Sequence, residues 1–435
     1  MILFRSFLNI FHIAELRKKL FFTLGCLVVF RLGSIIPVPG IDLALLGDYL
    51  KQASNLGQWF NYLDMYSGAS LSQCRLFALG IGPYITASIA IQLFGMTIPY
   101  FEELMKEGEY GRKIMNQYTR YVTLVLAIVY SFGYSTLLQS QGIVLNPGIG
   151  FTITFVAALT AGAMFIMWLG DQITEFGLGN GSSMIIFAGI VSSFPNHFMS
   201  TLNYIRMGSS DPIVMSLVLA LFILIIACIV FLEKGDRKIP IQYARKVIGN
   251  RVFGGQSTYI PFKVNPVGVM PVIFAQAALQ FPGMAVNVLA SYFPSLDFLK
   301  AFSSPMSPVF MVMQFLLIIF FTFVWTALQF NPDELADNLK KNGGFIPGVR
   351  PGKSTANYLD YILNRVGLVG AIYLGILAVL PNILFSVITM PFYLGGTSLL
   401  IVVGVALEFS SQAESYLIEH RYEGFLSSGR VKSRA

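Results

Sequence analysis

The chain has 435 residues, of which 55% are apolar and only 12% charged, with a formal net charge of +7. A soluble domain carries about 25% charged residues, and so few charges could not cover the cores needed to hide 38 Phe and 17 Met. These proportions exclude a soluble enzyme, a disordered chain and a secreted disulfide scaffold, and they leave a polytopic membrane protein. The three cysteines, Cys26, Cys74 and Cys228, are odd in number and suit neither a disulfide framework nor a thiolate metal site.

In chain order, the first fourteen residues mix Ile2, Leu3, Phe4, Phe7 and Leu8 with Arg5 and His12. That pattern predicts a helix lying in the membrane interface, and no small-residue cleavage site follows it. A helix crossing ~30 Å of hydrocarbon needs about 20 mostly apolar residues. Ten stretches meet that need: 20–36, 77–94, 118–139, 151–169, 181–195, 212–232, 268–288, 308–329, 363–381 and 395–416. The fifth is short and is expected to end at Pro195. Of the 29 Lys and Arg, all but Arg31, Lys51, Arg75, Arg206 and Lys300 fall on one side of this set. The positive-inside rule then places both termini in the cytoplasm.

Ten spans divide into two sets of five, 1–205 and 206–435, joined by an outer loop near 196–211. Five is odd, so the second set enters from the opposite face. This arithmetic permits an inverted architecture with the working site between the halves, although no residue-level similarity links them.

Chemistry of the chain's own is not visible. Gly348-Val349-Arg350-Pro351-Gly352-Lys353-Ser354 approaches a phosphate loop, but Pro347 stands where the first glycine is required and no strand precedes it. Gly177-Leu178-Gly179-Asn180-Gly181 is followed by Ser182 instead of the last glycine of a dinucleotide fingerprint. His12, His197 and His420 are isolated from any second metal ligand. A secondary transporter would carry charged groups at mid-membrane, yet only Glu408 lies well inside a span, where a hydrogen bond to a neighbouring helix is its simplest role. A scaffold for a membrane enzyme stays open on composition alone.

Several motifs, in order, resemble the SecY family, the channel-forming subunit of the bacterial protein translocon. They include Arg31-Leu32-Gly33 through Pro37-Val38-Pro39-Gly40, Gly80-Ile81-Gly82-Pro83-Tyr84-Ile85-Thr86-Ala87-Ser88 and Gln117-Tyr118-Thr119-Arg120-Tyr121. Gly179-Asn180-Gly181, Ala336-Asp337-Asn338-Leu339-Lys340-Lys341, Phe345 to Gly352 and Gly395-Gly396-Thr397-Ser398 continue the match over nearly the whole chain. The resemblance implies an all-α membrane protein with ten transmembrane helices in two inverted five-helix halves, a clamshell around an hourglass pore. Unfolded polypeptides would cross it or leave sideways into membrane lipid. It implies no cofactor and no enzymatic activity, with SecE, a SecG-like subunit, SecA, the ribosome and the signal sequences of clients as partners. The expected location is the bacterial cytoplasmic (inner) membrane.

Residue roles follow the same resemblance. Ile81 and Ile85, Ile186 and Ile190 are each i,i+4 pairs, and with Ile273 and Ile401 they are expected to form an apolar pore ring, which dewets and blocks ions. Residues 60–72, too short and polar to span, are expected to seal it as a plug through Phe60, Tyr66, Ser67, Gly68, Ala69 and Ser70. Thr86, Gln92, Gln276 and Gln280 are expected to line a lateral gate, where interhelical amide bonds of ~0.6 kcal/mol hold a seam weakly. Each also fits ordinary helix glue. Loops 233–267 and 330–362 are expected to dock SecA or the ribosome through Lys238, Arg245, Arg251, Lys340, Lys341 and Arg350. The charge of the first also serves simply to hold that loop inside, and the second also fits a solvated loop whose glycines and prolines only make turns. Where the family often has two adjacent basic residues, this chain has Asn250-Arg251.

Overall fold

The computed structural model describes residues 13–42, 45–46, 68, 70–207, 212–243, 246–248, 251–253, 257–265, 267–279, 307–387 and 396–428. Helices stand at all ten expected places. They are α1 (Ala14–Gly33), α2 (Gly82–Thr97) with the short α3 (Pro99–Lys106), α4 (Glu109–Ser140), α5 (Ile149–Phe176) and α6 (Gly181–Arg206). After these come α7 (Pro212–Lys234), α8 (Met270–Leu279), α9 (Pro308–Gln329) with α10 (Pro332–Lys341), α11 (Lys353–Val387) and α12 (Gly396–Ser428). Seven stretches among the described residues are long and apolar enough to cross a membrane, and an eighth counts if α2 and α3, bent by 98° at their junction, form one span. Helix α1 brings Glu15, Arg17, Lys18 and Lys19 into its first turns, and the expected continuation of α8 lies outside the described residues.

Three boundaries differ from expectation for local reasons. The second span starts at Gly82 rather than at 77, because Pro83 favours a helix start and Ile81 takes the N-cap position. The first helix ends at Gly33, where the Ser34 hydroxyl bonds the Phe30 carbonyl at 2.8 Å. Pro195 does not end the fifth span, which runs on to Arg206. Proline withholds one donor there, from the Val191 carbonyl, and the helix carries on past it.

Helix α7 is apolar on every side, and Ile213 (79%) and Phe231 (80%) remain exposed, as a lipid-facing helix requires. The largest apolar core joins residues of α1, α2, α5 and α6 to residues of α7, α8, α9, α11 and α12. A second core, with Leu71, Cys74, Tyr134, Phe155 and Phe310, packs beside it.

One feature falls outside the all-helical expectation. The loop after α7 folds into strands β1 (Asp236–Tyr243), β2 (Lys246–Ile248), β3 (Arg251–Phe253) and β4 (Ser257–Lys263). Strand β1 pairs antiparallel with β4, from Asp236 opposite Lys263 to Gln242 opposite Ser257. Its other edge takes β5 (Gly344–Phe345) from the next loop, with Gln242 opposite Phe345. Ile239 and Phe262 of the ribbon pack with Ile346, Leu359 and Ile362 into one apolar cluster. The two loops expected to dock partners are therefore one folded body.

Candidate functional site: an isoleucine ring between two sets of helices

The six expected ring isoleucines come from four places in the fold. Ile81 caps α2 and its carbonyl accepts the Ile85 N–H at 3.1 Å, so the two stay one turn apart although only Ile85 is helical. Ile186 and Ile190 lie on α6, Ile273 on α8 and Ile401 on α12. All six are between 0 and 9% exposed and belong to the same apolar core. Behind them Gly170 of α5 leaves room: a Cβ there would lie 3.4 Å from Ile185 Cδ1 and 3.6 Å from Ile81 Cδ1. The chemistry of these six side chains is branched hydrocarbon, and Ile85 and Ile273 also border a cavity lined by polar groups.

Of the expected plug residues, Phe60, Tyr66, Ser67 and Ala69 lie outside the described residues. Gly68 packs against α6: a Cβ on it would come within 3.2 Å of Gly189 Cα, the residue before Ile190. The guanidinium of Arg31, near the end of α1, donates to the Gly68 carbonyl at 3.4 Å. Ser70 is fully buried. Past it, Tyr134 of α4 donates its hydroxyl to the Leu71 carbonyl at 2.8 Å, and Arg75 donates to the Ser34 carbonyl at 2.8 Å. The described end of the segment is thus anchored to α1 and α4 on one side and reaches α6 on the other. Sequence reasoning missed the role of Arg31, which was read only as an outer charge.

The expected gate residues behave less uniformly. Thr86 Oγ1 bonds the Gly82 carbonyl at 3.1 Å and Gln92 Nε2 bonds Ser88 Oγ at 3.1 Å, both within α2. Oε1 of Gln92 and Oε1 of Gln276, on α8, are buried without a partner among the described residues. Gln280 lies outside them. A cavity of about 470 Å³ opens between the two sets of helices, with Tyr84, Ile85 and Gln92 on one wall and Ile273, Phe274 and Trp325 on the other. At its rim Arg120 of α4 pairs with Asp171 of α5 at 2.8 Å. A second cavity of about 780 Å³ separates Arg112, Met115 and Asn116 of α4 from Glu334 and Asn338 of α10.

Beside the smaller cavity, which Asn180 also lines, the helices are tied. Leu178 N donates to Thr23 Oγ1 of α1 at 3.0 Å, and Gly179 N donates to Gln412 Oε1 of α12 at 2.8 Å. Asn180 caps α6 by accepting from Ser182 N at 3.1 Å. The near-fingerprint Gly177 to Gly181 is a tight helix-to-helix turn.

On the folded loop body, Lys238 lies over the ring of Tyr259 with 4.9 Å to its centre, a cation–π contact that holds the ammonium at the surface. Lys340 and Lys341 end α10 and are exposed, where they also complement the helix dipole. Arg350 is exposed on a tip between Gly348 (φ +84°) and Gly352 (φ +102°), both in the left-handed region. Its carbonyl accepts from Thr355 Oγ1 at 2.9 Å, and Ile346 anchors the tip in the apolar cluster. Arg245 and the side chain of Arg251 lie outside the described residues.

Comparison with known proteins agrees with this arrangement. Residues 75–410 match the family model described as SecY. The chain is 45% identical over 430 residues to the protein translocase subunit SecY of Escherichia coli (strain K12), covering 97% of this chain and 96% of the relative. A solved structure described as that of a protein conducting channel aligns with a TM-score of 0.66 at 18% identity, over 96% of this chain and 95% of that one. Sec61 in a canine ribosome-channel complex aligns with a TM-score of 0.62 at 16% identity, over the same shares. By its family match and its near-full-length identity, the chain belongs to the SecY family.

Proposed function

We propose that this chain is a protein-conducting channel of the bacterial inner membrane, built as ten spans in a clamshell of two halves, 1–205 and 206–435, around an hourglass pore. The observation that carries the reading is that Ile81, Ile85, Ile186, Ile190, Ile273 and Ile401, from four places along the chain, are all buried and belong to one apolar core. A narrow apolar ring keeps water and ions out when idle and yields to any side chain of a passing polypeptide. Residues 60–72 plug it from outside, with Gly68 beside Gly189. Thr86, Gln92, Gln276 and Gln280 line the gate through which signal sequences reach lipid, and the cavities between α2, α4, α8 and α10 give that seam room.

The channel is passive. Its driving force comes from SecA or the ribosome, docked on the ribbon and the Arg350 tip, with both termini cytoplasmic. SecE braces the two halves and a SecG-like subunit sits alongside. The relative named a protein translocase subunit supports the transport role, and the ribosome-bound Sec61 channel supports the ribosome as a partner. The test is direct: a client chain stalled during export, carrying one cysteine, should form a disulfide with Ile81→Cys or Ile401→Cys and not with Leu217→Cys, exposed on α7. Cross-linking to the α7 position alone would refute the pore assignment.

A further inference from the structure

The stretch 264–269 joins the cytoplasmic ribbon to the pore, and neither the ring nor the docking surface accounts for how it is held. Val264 N donates to the Gly235 carbonyl at 2.9 Å, which closes the base of the ribbon. Asn265 is 2% exposed and uses its amide nitrogen twice, donating at 2.9 Å to Glu233 Oε2 and at 2.9 Å to the Gly268 carbonyl. Glu233 ends α7, and Gly268, with φ +65°, lies two residues before α8, which carries Ile273 and Gln276. Lys263 of β4 and Glu408 of α12 both act electrostatically on the Glu233 carboxylate.

The surroundings leave this stretch no slack. A Cβ on Gly370 of α11 would stand 2.4 Å from the Val264 carbonyl oxygen, and one on Gly404 of α12 would stand 2.2 Å from Val269 Cγ1. Close-packed contacts of this kind transmit displacement instead of absorbing it.

We propose that Asn265 is a positioning residue that couples engagement of the driver on the ribbon to the pore: by bonding Glu233 and the Gly268 carbonyl together, it makes the end of β4, the end of α7 and the start of α8 move as one piece. The proposal rests on the docking reading above. Without the Asn265 amide, the ribbon binds its driver but its movement is lost before it reaches Ile273.

The test uses the purified complex in lipid vesicles with SecA, ATP and a preprotein, and it reads SecA affinity and preprotein translocated per ATP hydrolysed. Asn265→Ala should leave SecA affinity within about two-fold and lower translocation per ATP by about ten-fold, the scale of losing one hydrogen bond to a charged group. Glu233→Ala breaks the same bond from the other side, carries the test if Asn265→Ala fails to accumulate, and should match it. Glu233→Gln keeps an acceptor oxygen and should restore most of the coupling, and the double alanine variant should be no worse than either single one. Wild-type coupling in both alanine variants, an equal loss of SecA affinity, or additive losses would overturn the proposal. Arg350→Glu in parallel separates the two ideas: unchanged SecA affinity there would refute the docking reading and leave the Asn265 coupling ratio to be judged by itself.

Discussion

Gln412 of the last helix accepts a 2.8 Å hydrogen bond from the backbone N–H of Gly179, in the turn between α5 and α6. The two residues are 233 positions apart in sequence and belong to different halves of the proposed clamshell. With Thr23, which holds the neighbouring Leu178 N–H at 3.0 Å, this bond ties α1 and α12 to the turn between α5 and α6. The cavity of about 470 Å³ reaches this turn, since Asn180, the next residue, lines it, and Gln92, whose Oε1 has no partner among the described residues, lines both it and the cavity of about 780 Å³.

These two bonds make a stability prediction. Thr23→Val together with Gln412→Ala removes two acceptors from backbone donors and should cost about 2 kcal/mol in all. The purified complex should melt a few degrees lower. An unchanged melting temperature would mean that the turn is held by packing of Leu16, Leu178 and Ala413 alone.

Glycine crowding gives a sharper contrast within the same region. A Cβ on Gly181 would stand 1.9 Å from the Gly170 carbonyl oxygen, a backbone atom that cannot swing aside. Gly181→Ala should therefore lower the accumulation of folded protein severely. Gly150→Ala, in the first turn of α5 with nothing within 4 Å, should be neutral or stabilising by up to about 1 kcal/mol. Comparing membrane-inserted protein levels and melting temperatures for the two variants decides it; equal behaviour would contradict the packing described.

Much of this architecture is legible in the sequence because hydrocarbon is a demanding solvent. The ten apolar stretches stand where the helices are, and Ile186 and Ile190 were recognisable as a pair from their i,i+4 spacing. The ribbon was harder to see. Ile239 and Ile241 alternate with Lys238, Pro240 and Gln242, a period-2 signal, but proline and a cluster of charges made the segment resemble a loop. Its partner β5 has two residues and lies about a hundred positions away, so no local pattern announces the pairing. Pro195 resembles a helix stop because it withholds one backbone donor, yet the helix tolerates that single loss and continues to Arg206. Gln412 gave no signal beyond being one more amide on an apolar helix.

Topology is checked by reporter fusion. A reporter active only outside the cytoplasm should work when joined after Met207, just past α6, and stay silent after Gly235, between α7 and β1. The reverse pattern would overturn the orientation drawn from the Lys and Arg distribution.

Docking charges should separate by driver. Arg350→Glu should impair SecA-driven export while the complex with SecE stays intact, because the rigid tip presents that guanidinium to solvent. Arg251→Glu should weaken ribosome binding, with the larger effect at low salt, since exposed charges are screened over about 10 Å at 0.1 M. Normal SecA-driven export by the Arg350 variant would reduce that residue to a topology charge.

The central claim is that the six isoleucines and residues 60–72 seal an idle pore. Single Ile→Val changes at the ring should be nearly silent, because the seal is shared among residues from four parts of the fold. The most direct measurement is the conductance of the purified complex in a planar bilayer with no client present. Ile81, Ile85, Ile186 and Ile401 changed together to Ser, with residues 60–72 deleted, should give a channel that passes ions continuously, because hydroxyls wet the constriction. A quadruple variant without the segment that is as tight as the parent protein would contradict the ring.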